Sequence, residues 1–392
     1  MYSLTGLEYY TAEPWNIPFP LRLERLLKAN QLGLNNVVYL YEMADTSTFR
    51  YRAYNMCQIL ENSIFWYGSF FFRNELEYLK KYLPCINAIV IIRYRWDFEL
   101  DDFLKGVKAK NIPLLFDVDD LIYDSKYVPL VTNTLAVNMS TKEDYDYWFT
   151  YTGRIRQTAL SCDGLITTNQ FIKKILESDL KKPCYIMPNF FNREQAEASE
   201  YLCAQKHNLI NKKEQFTLGY FSGTPSHIND FLVVAPELYE LLKECNQLVL
   251  KIVGFMDLPY YMNEFVDNGK IQLVPLQNFI DLQKEIAEVD INLIPLQKNK
   301  FTNCKSELKY FEAGIVETIS CATPTYVYQE NIKSGYNGFL CDQGQWYATI
   351  KEMYHNGIRQ DMVNYAKEQS YNDFHYLSHR KNLEKILDEV KK

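Results

Sequence analysis

Short apolar runs rich in β-branched residues alternate with amphipathic segments along almost the whole chain. A run of four to eight such residues between polar turns predicts a buried strand, and apolar residues three or four positions apart predict a helix. The predicted strands are NVVYLYEM (36–43), NAIVIIRY (87–94), PLLFDVD (113–119), GLITT (164–168), CYIMP (184–188), FTLGYF (216–221), LVLKIVGF (248–255), KIQLVPL (270–276), INLIPL (291–296), TPTYVY (323–328) and GFLC (338–341). This alternation predicts an α/β protein whose parallel sheets are covered by helices on both faces.

The strands form two series, which predicts two Rossmann-like domains in a chain of 392 residues, long enough for two full cores. A polar stretch, 192–214, separates the two series. The predicted domains are therefore 1–205 and 206–370. A charged helical segment, 371–392, follows and could pack back on the N-terminal domain.

Charge and cysteine usage exclude several classes of protein. A net charge of −7 argues against nucleic acid as a partner and against an anionic membrane surface. Nine cysteines without a CxxC pair suit a reducing compartment. The chain has no basic-then-apolar leader and no apolar run of bilayer length. We therefore expect a cytoplasmic protein with at most peripheral contact at the inner face of the membrane.

Parallel α/β sheets bind ligands at the carboxyl ends of their strands, so candidate residues are sought there. In the first half this rule selects a set of cationic and aromatic side chains that could hold an anionic acceptor. These acceptor-side candidates are Arg50, Arg52, Arg93, Arg95 and Trp96. The alternative for Arg50 and Arg52 is that they face solvent on a helix.

The stretch DVDDL (117–121) ends a predicted strand with three carboxylates. One interpretation is a DxD metal site, and another is a phosphatase in which Asp117 is the nucleophile. A third is structural: Asp119 and Asp120 cap the next turn or pair with an arginine on a neighbouring strand end.

The stretch SGTPSHINDF (222–231) follows a strand and opens a helix. A glycine loop at a helix start can bind an anion through backbone N–H groups, with Ser222, Gly223, Thr224 and His227 as candidates. The alternative is an ordinary capped turn. The chain contains neither a Walker A sequence nor GxGxxG, so a standard dinucleotide fingerprint is absent.

The stretch CKSELKYFEAG (304–314) predicts a helix with Lys305, Lys309 and Glu312 on one face. Like charges four residues apart cost a few tenths of a kcal/mol, and a diphosphate resting beside Lys305, Ser306 and Lys309 would explain them. Glu312 could then accept hydrogen bonds from the two ribose hydroxyls, which indicates a nucleotide. The alternative is a solvated helix with a Lys309–Glu312 pair.

The order of these motifs resembles a known family. SGTPSH, LVLKIVGF, LVPLQNFIDLQKEIAEVDINLIPL, KSELKYFEAG, ATPTYVY and IKSGYNGFLC resemble the nucleotide-binding half of retaining glycosyltransferases of family 4, with the GT-B architecture. RYRAYN, IIRYRW, FDVDDLIYD and ITTNQF resemble the acceptor half of bacterial members that assemble surface polysaccharides and rhamnans. The resemblance implies two Rossmann-like domains whose parallel sheets face each other across a cleft.

The resemblance also assigns roles to individual positions. Glu312 matches the glutamate that binds the donor ribose, Gly223 the loop beside the diphosphate, and Leu276 with Gln277 the backbone that meets the base. Cys304 stands where the family has a first glutamate. The Arg and Lys that the family has after the glycine loop are replaced by His227 alone, and Lys305 and Lys309 are expected to supply that charge.

The implied function is transfer of a sugar, of hexosyltransferase type, from a nucleotide-sugar to a glycan, lipid-linked glycan or protein, with retention of configuration. The nucleotide-sugar is a co-substrate, and neither a metal nor another cofactor is expected. Cations would stabilise the leaving diphosphate. The catalytic candidates are Lys305, His227, Asp119 and Asp120. A DxD phosphohydrolase and an inactive nucleotide-sugar-binding module are the alternatives.

Overall fold

The computed structural model describes residues 13–208, 215–223 and 228–391. Its chain divides into two compact units. The N-terminal unit comprises Glu13–Val131, Met139–Asn192 and the residues from Tyr376 to the end of the last helix. The C-terminal unit comprises Thr132–Asn138 and the described residues of Arg193–His375.

The N-terminal unit is built on a six-stranded parallel sheet of order β2-β1-β3-β4-β5-β6. Its strands are β1 (Asn35–Tyr41), β2 (Trp66–Phe72), β3 (Ala88–Ile92), β4 (Leu114–Asp117), β5 (Gly164–Thr167) and β6 (Cys184–Ile186). The helices of this half of the chain are α1 (Phe19–Gln31), α2 (Asn55–Leu60), α3 (Leu76–Leu79), α4 (Phe98–Ala109), α5 (Val128–Thr134), α6 (Lys142–Ser161) and α7 (Gln170–Leu180). A π-helical turn, Arg50–Tyr54, leads into α2.

The C-terminal unit is built on a second six-stranded parallel sheet, of order β12-β11-β10-β7-β8-β9. Its strands are β7 (Phe216–Ser222), β8 (Leu248–Gly254), β9 (Ile271–Val274), β10 (Ile291–Ile294), β11 (Ile319–Ala322) and β12 (Phe339–Leu340). Its helices are α8 (Arg193–Asn208), α9 (Ile228–Leu232), α10 (Ala235–Glu244), α11 (Asn263–Asp267), α12 (Phe279–Glu288), α13 (Leu308–Gly314), α14 (Tyr326–Asn331), α15 (Trp346–Asn356) and α16 (Gln360–Phe374). The last helix, α17 (Arg380–Lys391), is part of the N-terminal unit.

The central strands of both sheets are buried at every position, as in β3, β4, β10 and β11. Strands buried on both faces read as nearly continuous apolar runs, which is why the sequence pattern identified β3, β4 and β10. The predicted α/β class with parallel sheets is confirmed.

One predicted strand is wrong, and strands β2 and β11 were not predicted. The stretch 323–328 is not a strand: β11 is the preceding ISCA run, and Tyr326–Asn331 is helix α14. Strand β2 was not predicted because Gly68 and Ser69 interrupt its apolar run. A Cβ at Gly68 would lie 2.9 Å from the Cα of Cys57, so the close approach of α2 requires glycine there.

The polar stretch between the two strand series is largely helical. Helix α8 covers 193–208 and packs along α12, so it is the first helix of the C-terminal unit. The predicted boundary at 205/206 lies inside this helix.

Helix α17 is tied to the N-terminal unit by polar contacts. The indole Nε1 of Trp66 donates to Asp388 at 2.9 Å, and a guanidinium nitrogen of Arg380 donates to the carbonyl of Asn62 at 2.7 Å. None of the helices in the described part of the chain combines the length and the apolar character needed to cross a membrane.

Candidate functional site

The carboxyl ends of β7 and β8 lie side by side in the C-terminal sheet, with Ser222 paired to Gly254. Gly254 has φ +99°, and a Cβ there would lie 1.8 Å from the carbonyl oxygen of Ser222, so only glycine allows this approach. A Cβ at Gly223 would meet no atom within 4 Å, so the strand end opens into space. Thr224 and His227 lie outside the described residues.

Lys309 projects from α13 at this edge and is half-buried. Its Nζ lies 5.3 Å from the centroid of the Tyr220 ring on β7. Burial lowers the pKa of Lys309, the carboxylates of Asp230 and Glu312 oppose that shift, and Lys305 adds to it. A bound anion would restore the charged form, so this lysine suits a phosphate group.

Lys305 and Ser306 precede the helix that carries Lys309. Lys305 has extended backbone angles, φ −60° and ψ 157°, and its Nζ lies 4.3 Å from the centroid of the Phe301 ring. The prediction that Lys305 shares a helical face with Lys309 and Glu312 is therefore wrong, because α13 begins only at Leu308. The two lysines nevertheless act on each other electrostatically.

Glu312 is buried on α13, with 7% of its surface exposed. Its Oε1 accepts a hydrogen bond from Nε2 of Gln195 at 3.3 Å, and its main-chain oxygen accepts from Gln283 on α12. The alternative of a solvated helix requires an exposed Glu312, whereas the carboxylate observed is buried and fixed. Held in this way, it can accept hydrogen bonds from a ligand at little ordering cost.

Two further buried carboxylates act on the same region. Asp230 accepts hydrogen bonds from the main-chain N–H of Gln297 at 3.0 Å and from its Nε2 at 3.2 Å. Burial raises the pKa of Tyr328 on α14, and Glu307, Glu312 and Asp230 raise it further. Glu307 was not selected from the sequence because, under the predicted helix, no signal set it apart from a solvated glutamate.

The remaining donor-side candidates are close to the same edge. Leu276 follows β9 and is 53% exposed, and its Cδ1 lies 3.6 Å from the Cβ position of Gly254. Gln277 donates through Nε2 to the carbonyl of Pro275 at 2.8 Å. Cys304 is fully buried, and its Sγ lies 3.2 Å from the carbonyl oxygen of Lys300.

In the N-terminal unit, Arg52 and Asp117 form a buried bidentate pair. Arg52 Nε lies 2.9 Å from Oδ1 of Asp117, and Nη2 lies 2.7 Å from Oδ2. Its Nη1 donates to the carbonyl of Met187 and to Oδ1 of Asn189. Because neither member of this pair is accessible, the expectation that Arg52 binds an acceptor is corrected to a structural role.

Arg93 occupies a strained position at the end of β3, with φ +44°. Its Nε lies 2.5 Å from Oδ1 of Asp119, and its Nη2 lies 3.6 Å from Oδ2 of Asp120. The structure therefore contains the arginine pairing that was the third interpretation of DVDDL. Left-handed backbone at a residue other than glycine is costly and is enriched at functional sites.

The other acceptor-side candidates are also engaged within the N-terminal unit. Arg95 donates to both carboxylate oxygens of Glu42. The main-chain N–H of Trp96 donates to the carbonyl of Arg154, and the guanidinium Nε of Arg154 donates to the carbonyl of Trp96. Arg50 is buried, and its Nε donates to the carbonyl of Thr46 at 2.7 Å. Arg93 and Arg95 are half-buried, so they remain the candidates that border this sheet edge.

Within 13–208, 215–223 and 228–391, no three histidine, cysteine or acidic side chains are grouped so that they could hold a metal ion. The metal independence implied by the family resemblance remains a prediction.

Comparisons with known proteins give likenesses of structure. No family model and no curated protein matches the sequence. The fold is similar to the Rickettsia africae glycosyltransferase (TM-score 0.60, 15% identity, 92% of this chain and 99% of that one). It is also similar to Anabaena HepE, solved with UDP (TM-score 0.57, 12% identity, 90% and 100%).

A third similar structure is the pneumococcal O-GlcNAc transferase GtfA, solved with UDP and GlcNAc (TM-score 0.53, 16% identity). The match covers 81% of this chain and spans 60% of the length of GtfA. Similarity at these levels of identity establishes the fold, and it confirms the predicted GT-B fold with two Rossmann-like domains. The chain has the GT-B fold of glycosyltransferases.

Proposed function

We propose that the protein is a nucleotide-sugar-dependent glycosyltransferase. The observation that carries the proposal is that α13 presents both Lys309 and Glu312 near the carboxyl edge of the second sheet, within a GT-B fold. A half-buried cation and a buried, oriented carboxylate on successive turns of one helix suit a diphosphate and a ribose. Two of the similar structures were solved with UDP, which supports the same class of donor.

The donor would lie along the C-terminal sheet edge. Glu312 would accept hydrogen bonds from the ribose hydroxyls, and Lys309 with Lys305 would contact the diphosphate. The open strand end at Ser222–Gly223 would admit the phosphates to backbone N–H groups. Leu276 and Gln277 would border the base.

The chemistry is displacement of a nucleoside diphosphate from the anomeric carbon of the sugar. As the carbon–oxygen bond breaks, negative charge develops on the leaving phosphate oxygen, and fixed cations that gain interaction energy there lower the barrier. The acceptor hydroxyl forms the new bond to the anomeric carbon and passes its proton to the leaving phosphate oxygen. We propose retention of configuration, and a glycan, a lipid-linked glycan or a protein hydroxyl as acceptor.

One observation bears on each alternative. A phosphohydrolase with Asp117 as nucleophile is disfavoured because both oxygens of that carboxylate are bound by Arg52 in the interior. An inactive binding module is favoured by Cys304, whose buried thiol cannot replace a carboxylate at the donor sugar.

Incubating the protein with UDP-, GDP-, ADP- and dTDP-sugars and measuring release of the nucleoside diphosphate tests the proposal. Turnover of one donor, accelerated by a sugar acceptor, would support it. Cleavage of a phosphate monoester without donor turnover would support the hydrolase instead. Donor binding without turnover would support the inactive module.

Lys305→Ala and Lys309→Ala are each expected to weaken binding of a nucleoside diphosphate much more than of the bare nucleoside. The reason is that the lost interaction is with phosphate charge, and at a half-buried site this is weakly screened. Titration calorimetry with UDP and uridine measures both losses. Equal losses for the two ligands would show that the lysines act on the stability of α13 rather than on phosphate.

Sugar transfer is expected to survive saturating EDTA with little loss, because the lysines and backbone amides would neutralise the diphosphate without a divalent ion.

Asp119→Asn and Asp120→Asn are expected to lower the transfer rate more than donor affinity. Loss of activity in EDTA with recovery on adding Mg²⁺ or Mn²⁺ would return DVDDL to the metal-site interpretation.

A further inference from the structure

Helix α8 contacts both the Glu312 side chain on α13 and the turn that follows α13. Cys203 Sγ lies 3.4 Å from the carbonyl oxygen of Ile315, just after α13. Lys206 Nζ donates to the carbonyls of Val316 and Glu317 at 3.2 and 2.8 Å. These contacts satisfy carbonyls of the turn that follows α13. Helix α8 therefore anchors the turn at the C-terminal end of α13.

The contact at the other end of this interface is made to the Glu312 carboxylate. Gln195 lies in the first turn of α8, is fully buried, and places its Nε2 3.3 Å from Oε1 of Glu312. An ionised carboxylate only accepts hydrogen bonds, so the amide nitrogen of Gln195 must face it. The side chain of Gln195 is buried, and Gln283 binds the main-chain oxygen of Glu312. The Glu312 carboxylate therefore has little freedom to rotate.

We propose that Gln195 is a positioning residue for the donor site: its amide fixes the Glu312 carboxylate in the orientation that receives the ribose hydroxyls. The inference rests on the proposed function and extends it to a residue 117 positions away in the sequence. A buried amide that meets a ligand-binding carboxylate reduces the ordering cost of each ligand hydrogen bond.

The surroundings of this carboxylate decide how a second charge would behave there. Among the titratable groups that interact with it are Lys309 of α13 and Tyr328 of α14. Asp230 of α9 acts on both of these groups, and Glu307 also acts on Tyr328. Gln283 of α12 and Gln195 of α8 add neutral amides. A second carboxylate at residue 195 would therefore meet Glu312 directly. Two buried carboxylates at this distance repel each other when both are ionised, so they retain one shared proton until the pH rises above the usual carboxyl range.

The test compares Gln195→Glu with the wild type in UDP titrations at a series of pH values between 5.5 and 8.5. At low pH the shared proton allows the new carboxyl to donate to Glu312 as the amide does, so affinity should approach that of the wild type. At high pH repulsion should turn Glu312 away and weaken binding about tenfold relative to the wild type. Gln205→Glu, the same substitution at an exposed position of α8, should show no such trend.

A second variant keeps the test valid if Gln195→Glu does not fold. Gln195→Ala should weaken UDP binding about three- to tenfold at every pH, because the Glu312 carboxylate loses the hydrogen bond that orients it and its contacts with the ribose weaken in part. The affinity advantage of UDP over 2′,3′-dideoxy-UDP should shrink in this variant, because misplacing Glu312 affects only the ribose hydroxyls.

An unchanged ratio of affinities for UDP and its dideoxy analogue, together with a pH profile of Gln195→Glu parallel to the wild type, would overturn the inference. The proposed function would still stand after that result, provided that the wild type binds UDP and Glu312→Ala weakens this binding. Failure of the wild-type protein to bind any nucleoside diphosphate would overturn both.

Discussion

Replacing Glu312 by alanine is expected to weaken binding of a nucleoside diphosphate about ten- to a hundredfold while the fold is retained. The carboxylate is buried and held by Gln195, so it would offer the ribose hydroxyls an oriented charged acceptor. Hydrogen bonds to a charged group are worth roughly 1.5–3 kcal/mol, which corresponds to that range. Titration calorimetry with the donor diphosphate measures the loss.

The matched control is Glu240→Ala, which removes an exposed glutamate from α10 of the same unit. Its affinity should equal that of the wild type. Circular dichroism of both variants checks that the unit is folded. An unchanged dissociation constant in a folded Glu312→Ala protein would remove Glu312 from the donor site.

Replacing Arg52 by alanine is expected to destabilise the N-terminal unit by about 3–5 kcal/mol, because it leaves the carboxylate of Asp117 buried without its partner. Arg52 is fully buried and also donates to Met187 and Asn189, so the variant loses four hydrogen bonds. For a unit of this size the loss lowers the melting temperature by about 6–20 °C. Differential scanning calorimetry measures the shift.

Arg25→Ala, which removes an exposed arginine from α1, is the control and should leave the melting temperature unchanged. The double variant Arg52→Met, Asp117→Leu removes both charges and should recover part of the stability, since no unpaired charge remains. A folded Arg52→Ala protein with normal stability and impaired transfer would instead return Arg52 to the acceptor side.

The amino-acid pattern determined the class of fold and most of its strands. Buried strands of parallel sheets are apolar on both faces, so β3, β4 and β10 appear as short, nearly continuous apolar runs that local sequence identifies. Helix boundaries were less certain. The stretch 304–314 has one periodic pattern, but Cys304 ends a 3₁₀ turn, Lys305 is extended and α13 begins only at Leu308.

Strand β11 shows where local pattern is not enough. Both ISCA and TPTYVY are apolar enough to form a strand, and the choice depends on which run pairs with β10 on one side and β12 on the other. That pairing involves residues far apart in the chain, so it was decided only in the folded structure.

The sequence by itself determined that Lys309 and Glu312 share a helix and that acidic and basic residues follow the strands of both sheets. Only the tertiary structure decided which of these charges are available to a ligand. Arg52 and Asp117 are 65 residues apart, and their partnership removes both from the surface. Gln195 and Glu312 are 117 residues apart, and their contact holds the carboxylate that we propose binds the ribose. A pattern in the sequence reports local periodicity, whereas the pairing of a buried charge depends on which distant side chain the fold brings to it.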